Sequence, residues 1–458
     1  MKILLILPAA THLRVQPGQK VPHRAMLRFS VLPLLAVAAL TGPEHEVTLC
    51  DENVQPLDLD APVDAVGITF MTALAPRAYE IAAHFRARGI PVIGGGYHPT
   101  LCPDDAAQHL DAVVVGEAEG IWPQVLRDIE QGRLQKIYRA AIPADPATIP
   151  VPRRQLLEHV RQHYVTIHAV QAGRGCPHAC KYCSIAAFFH SSYRARPVAQ
   201  VRDELAQIPR HFMFVDDNII ADRDYAAALF RALIPLKKRW VAQCAIDIAD
   251  DPELLDLAYR AGCRGLFIGI ETISESALAD LNKSFNAPHS YARRVAVIRL
   301  RGIAVQAGII VGLDHDRPEV FERTLRYLEA LHIDALQLNI LTPLPGTPMH
   351  EQFRLAERIT DHDWSHYDFR HVVIRPAGMT AQQLQNGADW LYAQYYRLDR
   401  VLWRAARTFL EVGPLAGLTL LRLNLTYRYD NLREGIRGKN PARTLTEGER
   451  RALKMVPA

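Results

Sequence analysis

Twice along this chain, short and mostly apolar runs alternate with stretches whose apolar residues recur every three or four positions. A proline-rich break separates the two series. A run that is apolar throughout suits a strand covered on both faces, and helices between such strands imply parallel pairing. In the first series the candidate strands are residues 3–7, 46–50, 65–69, 91–94 and 112–115, with helical patterns such as 75–88 between them. This α/β pattern predicts a Rossmann-like, doubly wound parallel sheet over residues 1–145. Ligands of open sheets sit beyond the carboxyl ends of the strands. Those ends are Pro8-Ala9-Ala10, Phe70-Met71-Thr72, Gly94-Gly95-Gly96-Tyr97-His98 and Gly116-Glu117-Ala118-Glu119.

Residues 142–152 hold four prolines among small residues, a composition that resists both helix and sheet and marks a boundary. The second series follows, with candidate strands at 165–171, 211–215, 241–245, 265–270, 304–311 and 335–341 and helical spacers that include 251–261 and 317–331. Six strand–helix units predict a partial (β/α)6 barrel over residues 160–350, with its chemistry at the carboxyl-end loops. Residues 351–458 predict a mostly helical carboxyl-terminal region, with many arginines between Arg397 and Arg451. Its aromatics, among them Trp364, Tyr367, Trp390, Tyr395 and Tyr396, read either as a lid over an extended apolar substrate or as packing beside a solvated charged face.

Composition narrows the function classes. The 458 residues are 49% hydrophobic and 22% charged, enough to bury real cores. A net charge of +4 is too mild to point to nucleic acid. The apolar stretch 31–40 contains Pro33 and falls well short of the ~20 residues that cross a bilayer. The first seven residues read as a buried strand rather than a signal peptide. We expect a cytoplasmic protein with reduced thiols and no transmembrane segment; peripheral membrane contact stays open.

Seven cysteines do not make a disulfide scaffold in a chain this long. Three of them are clustered in Gly173-Arg174-Gly175-Cys176-Pro177-His178-Ala179-Cys180-Lys181-Tyr182-Cys183, on a loop after the first strand of the second series. Thiolates suit iron–sulfur clusters and zinc. Three of them leave one iron of a four-iron cluster open to a further ligand. A structural zinc site normally shows a fourth ligand in a second knuckle, whereas Cys50, Cys102, Cys244 and Cys263 are scattered singly in apolar contexts. His178 completing a zinc site is the alternative.

The spacing of Cys176, Cys180 and Cys183, with Tyr182 directly before the third, resembles the radical S-adenosylmethionine (SAM) superfamily. The resemblance implies a [4Fe-4S] cluster whose open iron is chelated by SAM, and reductive cleavage of SAM to a 5′-deoxyadenosyl radical. Further segments are similar to the superfamily's SAM-contacting strand ends. Phe214-Val215-Asp216-Asp217-Asn218 stands where a glycine-rich motif is usual, so that Asp216, Asp217, Asn218 or backbone carbonyls would take the SAM ammonium. Phe267-Ile268-Gly269-Ile270-Glu271 places Gly269 and Glu271 near the ribose, and Gly308-Ile309-Ile310-Val311-Gly312 places Gly312 near the adenine.

The amino-terminal segments around Gly94-Gly95-Gly96-Tyr97-His98 and Gly116-Glu117-Ala118-Glu119 resemble the cobalamin-binding domain fused to many radical SAM enzymes. Successive glycines at a strand end admit a bulky ligand that side chains would block. The resemblance implies cobalamin beside Gly94, Gly95, Gly96, His98, Gly116, Glu117 and Glu119. No Asp-x-His-x-x-Gly occurs in the first 150 residues, which implies base-off cobalamin without a histidine ligand below cobalt. Residues 29–40 resemble the helix packed beside the corrin.

Together these resemblances imply a cobalamin-dependent radical SAM C-methyltransferase acting on an unactivated carbon of a small hydrophobic or polycyclic metabolite, with an electron donor such as flavodoxin or ferredoxin. The alternatives are a non-methylating rearrangement, cyclisation or oxidation, and a non-catalytic cluster or cobalamin sensor or carrier.

Overall fold

A computed structural model describes residues 1–19, 21 and 31–433. The carboxyl-terminal part of the expected helical region, residues 434–458, and the start of the expected corrin-side helix, Phe29 and Ser30, lie outside the described residues.

The first series forms one sheet. Its elements are β1 (Lys2–Leu7), α1 (Leu32–Leu40), β2 (Glu46–Asp51), β3 (Ala65–Thr69), α2 (Ala75–Ala87), β4 (Val92–Gly95), α3 (Tyr97–Leu101), α4 (Pro103–His109), β5 (Ala112–Val115), α5 (Trp122–Glu130) and β6 (Ile137–Arg139). All pairs are parallel, in the order β2-β1-β3-β4-β5-β6. The apolar strands are covered on both sides. Leu34, Leu35 and Ala38 of α1 pack with Trp122, Val125 and Leu126 of α5 in one core, and Ala78, Ile81 and Phe85 of α2 pack with Ala106 of α4 in another. The chain leaves β1 toward β2 and then crosses to β3 on the other side. This reversal opens a crevice between the carboxyl ends of β1 and β3, the position where doubly wound sheets bind ligands.

The second series forms β7 (Ala169–Val170), β8 (Gly173–Gly175), α6 (Ser184–Phe188), β9 (Tyr193–Ala195), α7 (Val198–Ala206), β10 (His211–Phe214), α8 (Arg223–Leu233), β11 (Arg239–Gln243), α9 (Pro252–Arg260), β12 (Cys263–Glu271), α10 (Glu275–Asp280), α11 (Tyr291–Leu300), β13 (Ala304–Val311), α12 (Val320–Ala330) and β14 (Ala335–Ile340). Six strands pair in parallel in the order β14-β13-β12-β11-β10-β7, an open partial barrel, while β8 and β9 make a small antiparallel ribbon beside it. The strand expected over 165–171 is only two residues long. Val165 is 41% exposed, and β7 pairs only with Met213 and Phe214.

The carboxyl-terminal helices are α13 (Pro348–Leu355), α14 (Ala381–Tyr395), α15 (Leu398–Glu411) and α16 (Pro414–Arg433). Leu384, Ala388, Leu391 and Tyr395 of α14 join the barrel core. The Tyr396 hydroxyl donates to the Leu336 carbonyl at 2.7 Å and accepts from the Leu336 amide at 3.1 Å. It thereby satisfies part of the open edge of β14, which would otherwise offer unpaired backbone groups. Tyr395 and Tyr396 are thus packing residues, while Tyr367, farther upstream, faces the cavity described below.

Candidate active site

The carboxyl ends of the two sheets face one cavity of about 1550 Å³. Its walls are the β1–β3 crevice of the first domain (Pro8–Arg14 and Met71–Leu74), the cysteine loop with the ends of β10 to β14, and the segment from Asp363 to His371. Cys176, Cys180 and Cys183 all line it and form no disulfide.

The loop that carries them is braced from behind. Gly175 has φ +81, and a Cβ there would run into the Ser192 carbonyl, so the turn into Cys176 requires glycine. Asp216, at the end of β10, is buried and accepts from the amides of Ala172 (3.0 Å) and Gly173 (2.5 Å). Asp217 accepts from the Gly175 amide at 3.1 Å. Burial pushes the Asp216 carboxyl up to about 7 and that of Asp217 up to about 6, against the pull of these amides. On the far side, the Asn282 side chain donates to the Ala179 carbonyl at 2.8 Å and the Lys181 amide donates to Leu281.

A buried charge pair lies between loop and strand end. Lys283 Nζ donates to Glu271 Oε1 at 2.5 Å, and the Tyr182 hydroxyl donates to the same oxygen at 2.8 Å. Glu271 sits at φ +66, where the β12–β13 register shifts. A Cβ on Gly269 would press on the Glu271 carboxylate and Lys283 Nζ, so a side chain there would have to displace the ends of this pair. Burial pushes the Cys180 thiol up to about 12, with the Lys283 charge pulling the other way. A thiol held neutral by burial ionises when a metal takes up its charge.

Among the described residues, no three His, Cys, Asp or Glu side chains converge as a single metal ion would need. His178 is instead stacked on Phe285 with ring centroids 3.9 Å apart. Three cavity-facing thiols on one braced loop fit a cluster in which each of three irons takes one thiolate.

Of the residues assigned to SAM from sequence, Asp217, Asn218, Gly269 and Glu271 line the cavity; Asp216 stands behind the loop and Gly312 beneath α14, against Leu384. Asn218 Oδ1 accepts from the Ala245 amide at 3.0 Å. Those assigned to cobalamin frame the first domain's rim without lining the cavity. Gly94 makes room for Leu110, and Gly96, at φ +100, lets the chain turn against Thr69 and Phe70. Gly116, at φ +85, donates its amide to Thr100 Oγ1. Glu117 and Glu119 pair with Arg174 at 2.7 and 2.5 Å, and Glu117 also pairs with Arg194 at 2.9 Å. His98 is fully buried, with Nε2 3.0 Å from both the Tyr79 hydroxyl and Asp105.

Sequence reasoning did not single out Arg174, Lys283, Tyr97 or the polar wall formed by His366, Asp368 and His371. The topological reversal at β1 and β3 is the signal that marks Pro8–Arg14 and Met71–Leu74.

Comparison with known proteins agrees with this arrangement. The Radical SAM superfamily matches residues 170–328 and the B12 binding domain matches residues 28–126. Bacteriochlorophyllide d C-12(1)-methyltransferase of Chlorobaculum tepidum is 30% identical, over 81% of this chain and 84% of its own length. Hopanoid C-2 methylase of Rhodopseudomonas palustris is 29% identical, over 72% of this chain and 65% of its own length. The solved structure of the radical SAM methyltransferase TsrM from Kitasatospora setae, with cobalamin and a [4Fe-4S] cluster bound, shares the fold with a TM-score of 0.60 at 18% identity, covering 78% of each chain.

The chain belongs to the cobalamin-binding radical SAM enzymes, whose cofactors are a [4Fe-4S] cluster, SAM and cobalamin. Within that family it falls in the methyltransferase branch.

Proposed function

We propose that the protein methylates an unactivated carbon of an apolar, polycyclic small molecule held in the cavity between the two domains. The observation that carries this reading is the convergence of three cysteines and the carboxyl ends of both sheets on one cavity of about 1550 Å³. The relatives' names support the substrate class, since bacteriochlorophyllide d and hopanoids are both polycyclic.

Cys176, Cys180 and Cys183 hold the cluster; Asp217, Asn218, Gly269 and Glu271 surround SAM, with Asp216 and Gly312 shaping the strand ends behind them. The β1–β3 crevice takes cobalamin, and Gly94, Gly95, Gly96, His98, Gly116, Glu117 and Glu119, set back from the cavity wall, shape the strand ends beside it. When bound, SAM at the cluster supplies the hydrogen-abstracting radical and cobalamin supplies the methyl group. The chain's own work is to orient and to exclude water. Lys283 holds the Glu271 carboxylate in place, Asp216 and Asp217 hold the cysteine loop, and the segment from Asp363 to His371 walls off the substrate side. A one-electron donor of the flavodoxin or ferredoxin type reduces the cluster. Seven unpaired cysteines suit a reducing cytoplasm.

The test is anaerobic reconstitution with iron, sulfide and cobalamin, followed by turnover with methyl-labelled SAM and polycyclic candidate substrates. A labelled methylated product together with 5′-deoxyadenosine is expected. Formation of 5′-deoxyadenosine with an unmethylated, altered product would favour rearrangement or oxidation.

A further inference from the structure

The helices α15 and α16 are inverted relative to ordinary surface helices, which turn an apolar stripe to the core. α15 buries Arg404 and Thr408 beside Val401 and Ala405, and exposes Leu398, Leu402, Trp403, Phe409 and Leu410. α16 buries Asn424 and Asp430 beside Leu420, and exposes Leu415, Leu418, Leu425, Tyr429 and Leu432. Half of the large apolar side chains exposed among the described residues fall on these two helices, with Leu410 82% and Leu415 71% exposed.

The inward polar sides explain the orientation. Thr408 donates to Asp334 Oδ1 at 2.6 Å, and Asn424 donates to the Asp334 carbonyl at 3.2 Å. Arg404 links the two helices to each other and to α14, donating to Asn424 Oδ1 at 3.0 Å and to the Tyr395 carbonyl at 2.8 Å. Both helices are therefore anchored at the amino-terminal end of β14, and their apolar sides turn away from the barrel together. An apolar face of this extent marks an interaction site.

Charge and shape select the partner. Of the seven arginines in residues 397–433, Arg404 is buried on the inner side and Arg397, Arg400 and Arg407 pair with Asp399, Glu329 and Glu411, while residues 434–458 carry six Lys or Arg against three Glu. Arg422 stands within the exposed row of α16 and has no ion pair among the described residues. The row Leu415, Leu418, Leu425, Tyr429, Leu432 covers fewer than the ~3–4 heptads that a coiled-coil partner requires, and the face extends over both helices rather than along one seam. No helix among the described residues is long and apolar enough to cross a membrane. An apolar face with an aromatic anchor, Arg422 in its row and a basic segment following it in sequence suits a helix pair lying in the headgroup plane, where an arginine stem buries while its charge meets lipid phosphate.

We propose that the outer face of the α15–α16 pair is a peripheral docking surface for an anionic lipid bilayer. It is anchored at the amino-terminal end of β14, whereas the candidate active site opens at the carboxyl ends of the strands, so the inference does not depend on which reaction the cavity performs.

The test is sedimentation of the full chain, purified without detergent, with vesicles of phosphatidylcholine alone or mixed with phosphatidylglycerol. Binding to the mixed vesicles is expected, several-fold weaker on phosphatidylcholine alone and at raised salt. The double variant Leu402→Glu, Leu418→Glu loses about tenfold or more of the bound fraction while its melting temperature and reconstituted cluster absorbance stay unchanged. Absence of binding to either vesicle overturns the proposal, as does undiminished binding by the double variant. A dimer seen by light scattering that the same substitutions dissociate also overturns it, because a second copy then covers the face.

Discussion

Arg174, two residues ahead of Cys176, places its guanidinium 2.7 Å from Glu117 of the other domain. Its second terminal nitrogen pairs with Glu119 at 2.5 Å, and all three side chains are largely buried. Charge pairing holds the Arg174 guanidinium above its usual range despite burial. One side chain therefore couples the rim of the first sheet to the loop that presents the thiols.

Removing that cation leaves two carboxylates buried with only Arg194 nearby. Breaking a buried pair from one side costs about 3–5 kcal/mol. We expect Arg174→Ala to lower the melting temperature sharply and to reduce iron uptake on reconstitution. Arg174→Lys keeps the charge but loses the fork, and it should recover part of the stability. Thermal unfolding and iron content per chain check this.

The same asymmetry applies to Lys283 and Glu271. Lys283→Met leaves the Glu271 carboxylate buried, and its stability should fall by a few kcal/mol. Glu271→Gln in that background removes the stranded charge and should restore much of the loss. A double-mutant cycle on unfolding measures the coupling, expected between about 0.5 and 3 kcal/mol. Binding of SAM to the reconstituted double variant should still be weakened if these residues also face the cofactor.

How much of this was legible in the sequence depends on how local each signal is. The strands Ala65–Thr69, Ala112–Val115 and Ala304–Val311 appear where largely apolar runs predict them, because strands buried on both faces leave such runs. Strand β6 has a single buried residue, Tyr138, between exposed Ile137 and Arg139, so its edge position leaves no run to find. The cysteine loop is legible because its three donors lie within eight consecutive positions. Arg174 with Glu117 and Lys283 with Glu271 are not, since each pairing is made by the fold and neither Arg174 nor Lys283 carries a local signature. Glu117 and Glu119 show the converse. Their position after a strand marks a rim, but only the structure reveals that Arg174 and Arg194 occupy their carboxylates.

Asp316 provides a pH test away from the cluster. It is 4% exposed and accepts from the amides of Gly312 (2.8 Å) and Leu313 (3.0 Å). Burial pushes its carboxyl up to about 6, above the unfolded value of 3.8, although these amides pull it down. A carboxyl raised in the folded state contributes stability below the unfolded pKa and loses it as pH rises through the folded value. Asp316→Asn can still accept from the amides and does not ionise. Its melting temperature should therefore gain on the wild type's between pH 4 and pH 7, by the equivalent of about 1–3 kcal/mol. A pH-independent difference between the two would refute the assignment.

His98 separates a structural from a cofactor-contacting role. It is fully buried among Tyr79, Asp105 and the ring of Trp364, whose centroid lies 5.4 Å away, and burial lowers its pKa despite Asp105, so the ring is neutral at pH 7. Trp364 belongs to the carboxyl-terminal region, so this contact ties that region to the first domain. We expect His98→Ala to cost about 2–4 kcal/mol, since it leaves a cavity and takes a hydrogen-bond partner from Asp105 and Tyr79. Cobalamin retained on gel filtration, read from its visible absorbance, should remain near one per chain in the variant at a temperature where it stays folded. Loss of the corrin without loss of stability would instead place His98 in contact with the cofactor. The two readouts distinguish the roles because the buried Tyr79–Asp105 network affects folding, whereas corrin retention reports on the crevice between β1 and β3.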